Sequence, residues 1–275
     1  MMCAWKQLMN ILPVEISAQA DAQGRETLQE LRLRVNAPPE MITGKGTVWL
    51  NGIVRRENLD YVINGASRYS PWCAGTMAQG YITAPGGHRI GICGDAVFRD
   101  GTAGGFRRVD SLCIRVARDF PGIAQKAANA AGSILILGAP GWGKTTLLRD
   151  LSRQISQKHT VCVVDERGEV FPEGLQRGKR MDVITGLPKS LGIEMVLRAM
   201  GPEYIAVDEI TAEADCLGLV QAANCGVHLI ATVHASGTQD LKQRDLYRML
   251  LEKGIFQTIL QLRGDKSYCA ERVGL

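Results

Sequence analysis

The fold class follows from one stretch of sequence, Gly138-Ala139-Pro140-Gly141-Trp142-Gly143-Lys144-Thr145-Thr146. This stretch matches the pattern G-x-x-x-x-G-K-[ST] at every position. The apolar run Ser133-Ile-Leu-Ile-Leu precedes it, and a helix is predicted from Lys144 onwards. Glycines let backbone N–H groups converge on phosphate oxygens, which a Cβ would crowd, and the positive end of the helix adds to the attraction. A chance glycine-rich turn would need neither the strand nor the helix. We therefore predict that all nine residues bind the phosphates of a nucleotide.

Two side chains of this phosphate loop (Gly138 to Thr146) have individual predicted roles. Lys144 is expected to reach the β- and γ-phosphates of ATP, so that it contributes to catalysis as well as to binding. The hydroxyl of Thr145 is expected to be a ligand of Mg²⁺. The loop therefore implies ATP and Mg²⁺ as cofactors.

A second apolar strand, Tyr204-Ile-Ala-Val, ends in the acidic pair Asp208-Glu209. Ligands of open α/β sheets bind at the carboxyl ends of the strands. We predict that Asp208 holds Mg²⁺ and that Glu209 orients and polarises the attacking water, as the catalytic base. The alternative is that both acids cap the helix predicted near Ala212, since acids favour helix N-termini. The phosphate loop upstream favours the catalytic interpretation, and a base at this place favours hydrolysis over simple binding.

Further polar residues follow the two remaining apolar strands of this half. Glu166, with Asp165 before it, ends the strand Val161-Cys-Val-Val, and His234 follows the strand that contains Thr232. We expect this last strand to lie between the two motif strands, so that Thr232 and His234 face the γ-phosphate. Glu166 and His234 are therefore candidate catalytic residues. The alternatives are a surface ion pair between Glu166 and Arg167, and an ordinary hydrogen-bonded loop histidine.

The fold class follows from these strands, which are apolar on both faces and alternate with helices. That pattern predicts an α/β domain with a mostly parallel sheet covered on both sides, over residues 126–275. Residues 1–125 predict a smaller α+β domain, with a strand at Leu31 to Val35 and a hairpin from Tyr81 to Ile92. Pro121-Gly122 and the alanine-rich stretch after it mark the join.

Composition limits the class of protein and its partners. The chain has 275 residues, of which 45% are hydrophobic and 22% charged, as in a globular protein. A net charge of +4 and an aromatic content of 5% argue against a nucleic-acid partner. The eight cysteines form no Cys-x-x-Cys pair, and no apolar run reaches the roughly 20 residues that span a bilayer. We expect a cytoplasmic protein, with a peripheral membrane location left open.

Several stretches resemble the stage III sporulation protein AA family. These are the phosphate loop, Val164-Asp-Glu-Arg-Gly-Glu169, Leu197 to Glu209, Ala231-Thr-Val-His-Ala235, Glu30 to Asn36 and Gly80 to Ile92. The phosphate loop is common to many protein families. The Gly-His-Arg hairpin and the Asp-Glu-Arg-Gly-Glu run are far more specific.

The family is similar to the ATPases of type II and type IV secretion systems, and the resemblance implies a RecA-like ATPase that assembles as a hexameric ring. It implies work in the mother cell of an endospore-forming bacterium, beside a membrane channel complex that faces the forespore. Asp165-Glu166 and His234 would be the acidic and histidine boxes of those enzymes. Secretion ATPases often have Gly-Glu in place of Asp208-Glu209, and the tetracysteine zinc module of some of them is absent here.

Ring ATPases commonly complete their site with an arginine from the neighbouring subunit. We expect Arg107 or Arg115 to have this role, since their segment leads into the ATPase domain. The 1–125 domain would then serve oligomerisation or partner binding. Two other functions stay open: a nucleic-acid-dependent RecA-like ATPase, and a nucleotide-binding switch with little turnover.

Overall fold

The fold is that of a computed structural model, which describes residues 4–23, 27–68, 74–99, 101–130, 132–172 and 174–273. It divides into two compact units. The first comprises Met1–Asp119 with Pro172–Leu175, and the second comprises Phe120–Phe171 with Gln176–Leu275. Residues 120–125, which the sequence analysis placed in the first domain, therefore lie in the second unit.

The first unit is an antiparallel sheet with helices. Its elements are α1 (Trp5–Asn10), α2 (Val14–Gln23), β1 (Leu28–Arg34), β2 (Glu40–Thr43), β3 (Gly46–Trp49), α3 (Arg56–Ser67), α4 (Ala74–Ala78), β4 (Tyr81–Thr83), β5 (Arg89–Arg99) and β6 (Thr102–Arg115). The strand order is β3-β2-β1-β6-β5-β4, and each neighbouring pair is antiparallel. This topology confirms the α+β class expected of the N-terminal domain.

Alternation along β1 explains how that sheet packs. Leu31 and Leu33 are fully buried, whereas Arg32 and Arg34 lie on the opposite face. The hairpin of β4 and β5 is also present as predicted, with Tyr81 opposite Gly91. One face of the sheet therefore carries the hydrophobic core of this unit, together with the apolar sides of α1 to α3.

The turn of this hairpin contains a buried histidine with a defined tautomer. The Nδ1 atom of His88 accepts a hydrogen bond from the N–H of Ala117 (3.2 Å), and Nε2 lies 3.0 Å from the carbonyl oxygen of Ala4. Because Nδ1 accepts, the ring proton lies on Nε2 and is donated to Ala4. Burial lowers the pKa of His88, so the neutral form is favoured.

The second unit is an α/β unit built on a mostly parallel sheet. Its elements are β7 (Ile134–Leu137), α5 (Lys144–Ile155), β8 (Val161–Asp165), β9 (Met181–Thr185), α6 (Lys189–Ala199), β10 (Tyr204–Val207), α7 (Glu213–Asn224), β11 (His228–Val233), α8 (Thr238–Gln243), α9 (Asp245–Glu252), β12 (Thr258–Leu262) and β13 (Tyr268–Arg272). The strand order is β13-β12-β7-β11-β10-β8-β9. Only the pair β12 and β13 is antiparallel within this order.

This order fixes where the functional residues meet. Strand β11 lies between β7, which leads into the phosphate loop, and β10, which leads into Asp208-Glu209. The predicted position of this strand is therefore confirmed. Because these strands are parallel, the residues that follow each of them lie at one edge of the sheet.

Two separate helices follow β11. Helix α8 ends at Gln243 and α9 begins at Asp245. Arg244 between them has an extended backbone (φ −96°, ψ 116°), which interrupts the hydrogen-bond ladder. Within the described ranges, no helix is long and apolar enough to cross a membrane.

Candidate nucleotide-binding and hydrolysis site

The phosphate loop joins β7 to α5 in the geometry that its sequence predicts. Gly141 and Gly143 have left-handed backbones (φ 77° and 99°), and the positions that a Cβ would occupy open into free space. Glycine adopts this conformation without the steric cost that other residues have. At Gly138 the reason is different, since a Cβ there would lie 3.1 Å from the Cβ of Leu262. The loop therefore needs two glycines for its conformation and one for the close approach of β12.

The side chain of Lys144 lies at this sheet edge with its ammonium group next to a histidine. Its Nζ is 3.1 Å from the carbonyl oxygen of Ala139 and 2.9 Å from Nδ1 of His234. The residue is 6% exposed, and its burial lowers the pKa of Lys144. The negative charges of Asp208 and Glu209 act in the opposite direction and raise this pKa. A buried ammonium group bonded to a carbonyl oxygen and an imidazole nitrogen is suited to receive an anionic ligand.

Asp208 joins the phosphate loop to β11 through two hydroxyl groups. Its Oδ2 accepts from the Thr145 hydroxyl at 2.7 Å, and its Oδ1 accepts from the Thr232 hydroxyl at 2.6 Å. The hydroxyl of Thr145 and the carboxylate of Asp208 are hard oxygen donors, which Mg²⁺ prefers. Within the part of the chain that is described, no group of three or more His, Cys, Asp or Glu residues forms a metal site.

Glu209 is held in an unusual backbone conformation beside this pair. Its φ is 54°, in the left-handed region, and its N–H donates to the buried Thr232 hydroxyl at 2.7 Å. Its carboxylate lies 3.0 Å from Nε2 of His234 and 3.4 Å from Nη1 of Arg167. A left-handed conformation costs a non-glycine residue free energy and persists where its surroundings impose it. Thr232 therefore positions both members of the acidic pair.

His234 connects the phosphate-loop lysine to the candidate base. A charged Lys144 has only donors, so Nδ1 of His234 must accept its hydrogen bond. The ring proton then lies on Nε2 and is donated to Glu209. The result is a continuous chain from the ammonium of Lys144 through the imidazole to the carboxylate of Glu209.

The helix-capping interpretation of the acidic pair is wrong. Helix α7 begins at Glu213, and the carboxylate that accepts from the backbone N–H groups of Thr211 and Ala212 is that of Asp215 (3.1 Å each). Asp208 and Glu209 use their carboxylates for the contacts already described. The acidic pair is close to α7 in sequence, but the N–H groups at the start of this helix bond Asp215 in its first turn.

Glu166 has a partner that the sequence did not indicate. Its Oε2 lies 2.5 Å from Nζ of Lys189, a side chain that is 9% exposed and also lies 3.6 Å from Asp215. The alternative interpretation, an ion pair of Glu166 with Arg167, is therefore wrong, since Arg167 bonds Glu209 instead. Glu166 and Lys189 line a cleft of about 20 Å³ together with Asp208 and Glu209. Glu166 thus lies close to the acidic pair.

Asp165 has a structural role in the loop that carries Glu166. It is 2% exposed, and its carboxylate accepts from the N–H groups of Glu169 (2.9 Å), Val170 (2.8 Å) and Phe171 (3.0 Å). Burial raises its pKa, while these hydrogen bonds act in the opposite direction. Arg149 of α5 binds the carbonyl oxygens of Glu169 and Val170 from the other side. Asp165 therefore shapes this loop and lies out of reach of solvent.

Comparison with known proteins identifies the family. The sequence model described as "Sporulation stage III, protein AA" matches residues 4–271. The chain belongs to the stage III sporulation protein AA family. Stage III sporulation protein AA of Bacillus subtilis (strain 168) is 35% identical over 253 residues, which cover 86% of this chain and 82% of that protein. The resemblance inferred from the motifs is thereby confirmed.

Solved structures with this fold include an ATPase and a pilus motor. The Legionella pneumophila ATPase DotB superimposes with a TM-score of 0.62 at 18% identity and covers 95% of this chain and 80% of its own. The pilus retraction motor PilT with bound ADP gives a TM-score of 0.63 at 14% identity, with coverages of 94% and 80%. At these identities the likeness establishes the fold alone. The second unit therefore has the α/β P-loop fold of these structures, and the smaller α+β unit precedes it in the chain.

The arginines expected to act between subunits lie in the first unit. Arg107 is 77% exposed at its side chain and lies 3.8 Å from Asp95, on the extended part of the β5–β6 hairpin. Arg115 is 69% exposed and lies 3.7 Å from Glu30 on β1. Each retains most of its solvent exposure. A role for either in a neighbouring site stays a prediction.

Proposed function

We propose that the chain binds ATP with Mg²⁺ and hydrolyses it. The observation that carries the proposal is the chain of contacts from Lys144 through His234 to Glu209, beside the Thr145–Asp208 pair. Binding alone would need the phosphate loop but would not need a carboxylate held by a strained backbone and two donors. The arrangement therefore supports hydrolysis over simple nucleotide retention.

Each side chain has a distinct task in this reaction. Lys144 has three N–H donors, of which two point to Ala139 and His234, so a third is available for a γ-phosphate oxygen. Thr145 and Asp208 would hold Mg²⁺, which supplies neutralisation of the developing charge when it is bound. Glu209 would accept a hydrogen bond from the attacking water and orient it in line with the γ-phosphorus.

His234 and Thr232 would report the state of the γ-phosphate. Departure of the anion from Lys144 changes the charge next to Nδ1 of His234, and the same ring binds Glu209 through Nε2. Thr232 binds both Asp208 and the backbone of Glu209. A change at the phosphate would thus reach the acidic pair through contacts shorter than 3.1 Å. Glu166, held by Lys189 at the same cleft, is the remaining candidate catalytic residue.

We further propose that this hydrolysis drives or assembles a secretion-type membrane channel complex between mother cell and forespore. The family name supports the sporulation context, and relatives of the same fold are named as an ATPase and as a pilus retraction motor. In this proposal the protein forms a hexameric ring at the mother-cell face of a membrane, where it binds membrane proteins peripherally. The first unit serves oligomerisation or partner binding, with Arg107 or Arg115 completing the neighbouring site.

The test is ATP turnover per subunit as a function of protein concentration, with the mass of the particles measured on the same samples. We expect turnover to rise as oligomers form. Glu209→Gln should lower ATP turnover by about 10²-fold or more, because the base is lost. ATP should still bind, because the phosphate loop is intact. Glu213→Gln, an exposed acid at the start of α7, is the matched control and should turn over like wild type.

Three outcomes would redirect the proposal. If turnover per subunit does not depend on protein concentration, hydrolysis does not require assembly into a ring. Glu209→Gln with wild-type turnover would leave a nucleotide-binding switch as the better account. Turnover that rises on adding single-stranded RNA or DNA, in a salt-dependent manner, would favour a nucleic-acid-dependent ATPase.

A further inference from the structure

The first residue of α6, Lys189, is a buried lysine at the cleft that the acidic pair lines. Its side chain is 9% exposed, and its Nζ lies 2.5 Å from Oε2 of Glu166 and 3.6 Å from Oδ2 of Asp215. Asp215 is itself buried. A buried ammonium group needs opposite charges close by, and these two carboxylates supply them.

Lys189 stands at a position where a cation does not favour the helix. Pro188 is the N-cap of α6, Lys189 follows it directly, and the first turn contains no acid. The N-terminus of a helix carries a partial positive charge, so carboxylates stabilise this end and a lysine does not. A residue that opposes the local preference and is also buried is expected to serve a site, because functional sites are where such local rules are broken.

The ammonium group of Lys189 joins the two loops that carry the carboxylates of the candidate site. Glu166 lies in the loop after β8. Asp215 lies in the first turn of α7, where it accepts from the two backbone N–H groups that precede this helix. Those two groups end the loop that begins with the acidic pair. One side chain therefore contacts a carboxylate in each loop.

The charge of the cleft explains why Glu166 needs this partner. Apart from Lys189 and Arg167, the described residues that line the cleft are acids, and like charges repel one another. Arg167 bonds Glu209 and is 56% exposed at its side chain. The side chain of Glu166 is 38% exposed, so it can turn towards solvent if its cation is lost. Lys189 is therefore the cation that keeps Glu166 at the cleft.

We infer that Lys189 is a positioning residue of the hydrolysis site, which holds the carboxylate of Glu166 at the cleft beside Glu209. The inference rests on the proposed function. The cleft has a volume of about 20 Å³, which is enough for one water molecule, and both carboxylates line it. Lys189 acts on the reaction through Glu166, and its ion pair with Asp215 offsets the cost of burying the ammonium group.

The test is a double-mutant cycle between Lys189→Met and Glu166→Gln on the full chain, with kcat and KM for Mg-ATP measured for each variant. Lys189→Met should lower kcat by about 10- to 100-fold, because it misplaces a group of the site. It should change KM by less than about threefold, because the phosphate loop is unaltered. In the Glu166→Gln background the same substitution should change kcat by less than about twofold, because the carboxylate that Lys189 positions is already absent.

Control variants separate positioning from a structural role. Asp215→Asn breaks the other ion pair of Lys189 but keeps an oxygen acceptor for the start of α7, so its kcat should stay within about threefold of wild type. Arg198→Gln breaks an exposed ion pair with Glu194 on the same helix and should leave kcat and the urea midpoint near the wild-type values.

Urea titration checks that Lys189→Met is folded. If it is not, the double variant Lys189→Met/Asp215→Asn takes its place, because it leaves no unpaired carboxylate at position 215. This variant should show the same loss of kcat, and the same insensitivity to lysine removal is expected once Glu166→Gln is added.

The outcomes separate this inference from the proposed function. If wild type does not hydrolyse ATP, the proposed function is refuted and the inference with it. If Glu209→Gln lowers turnover but Glu166→Gln leaves it unchanged, the inference alone is refuted. An equal effect of Lys189→Met with and without the Glu166 substitution, or an equal loss of kcat in Asp215→Asn, would mean that Lys189 only supports the two loops. Either result overturns the inference.

Discussion

Thr232→Val tests whether one buried hydroxyl positions the acidic pair. Thr232 is fully buried on β11, and its hydroxyl donates to Asp208 at 2.6 Å and accepts from the N–H of Glu209 at 2.7 Å. Valine keeps the branched shape of threonine and removes only the polar group. The variant therefore deletes two hydrogen bonds and leaves the phosphate loop and the carboxylates in place.

The expected loss of unfolding free energy follows from the groups that lose a hydrogen-bond partner in the variant. Loss of a hydrogen bond to a charged group costs about 1.5 to 3 kcal/mol, and an unsatisfied buried N–H costs about 1 to 3 kcal/mol. The variant should therefore lose about 2 to 5 kcal/mol of unfolding free energy. Glu209 loses the bond that supports its left-handed backbone, so its carboxylate should shift from the water-orienting position. A shift of about 1 Å at a reacting group can lower kcat by about 10²-fold.

Three measurements separate these effects. The urea midpoint gives the loss of stability, ATP turnover gives kcat, and ATP binding in the absence of Mg²⁺ reports on the phosphate loop alone. We expect a lower midpoint, a lower kcat and unchanged Mg-free binding for Thr232→Val. Thr232→Ser keeps the hydroxyl and is the control, so its kcat should stay within about threefold of wild type.

Turnover of Thr232→Val within about twofold of wild type would refute the positioning role, whatever the change in stability. Equal impairment of the serine and valine variants would also refute it, since the serine hydroxyl can make both bonds. In that case the methyl group of Thr232, and hence core packing, would be the important feature.

Two further predictions concern buried polar groups outside the acidic pair. Asp150→Ala removes the acceptor of two backbone N–H groups and of Nη1 of Arg153, which lies 3.0 Å from Asp150 in wild type. The unfolding free energy should therefore fall by about 3 to 5 kcal/mol in urea titration, and a loss below about 1 kcal/mol would contradict this. For His88, burial lowers the folded pKa below the ordinary value of 6.5, so its contribution to stability is complete above that pH and is lost as the pH falls through the lower folded pKa. Between about pH 7.5 and about pH 5 the melting temperature of wild type should therefore fall more than that of His88→Gln, and parallel profiles would contradict the assignment.

The local parts of the fold were predictable because their causes are local. Four continuous apolar strands and the phosphate loop identified the parallel sheet. Alternation identified β1 and the β4–β5 hairpin. The break at Arg244 had no such signal, since neither glycine nor proline stands there. The hairpin of β12 and β13 does have a local signal, since Gly264-Asp265 after an apolar run is typical of a turn.

In the candidate site, residue types and strand ends were predictable but partners were not. Arg167 neighbours Glu166 in sequence, yet it bonds Glu209, 42 positions later, while Glu166 bonds Lys189. These choices depend on how the loop after β8 is folded. Asp165 fixes that loop by accepting three backbone N–H groups. Nothing in the local spacing distinguishes such a structural carboxylate from a catalytic one.

The position of β11 explains why a histidine of modest sequence signal lies at the centre of the site. Parallel strands place their carboxyl ends side by side, so a residue just beyond β11 has the phosphate loop on one side and the acidic pair on the other. His234 meets both neighbours because imidazole has two ring nitrogens that can serve different partners at once. A serine or a carboxylate at this position would lack either the reach or the donor. If ATP hydrolysis is coupled to movement, loss of the γ-phosphate would first change the hydrogen bond between the side chains of Lys144 and His234.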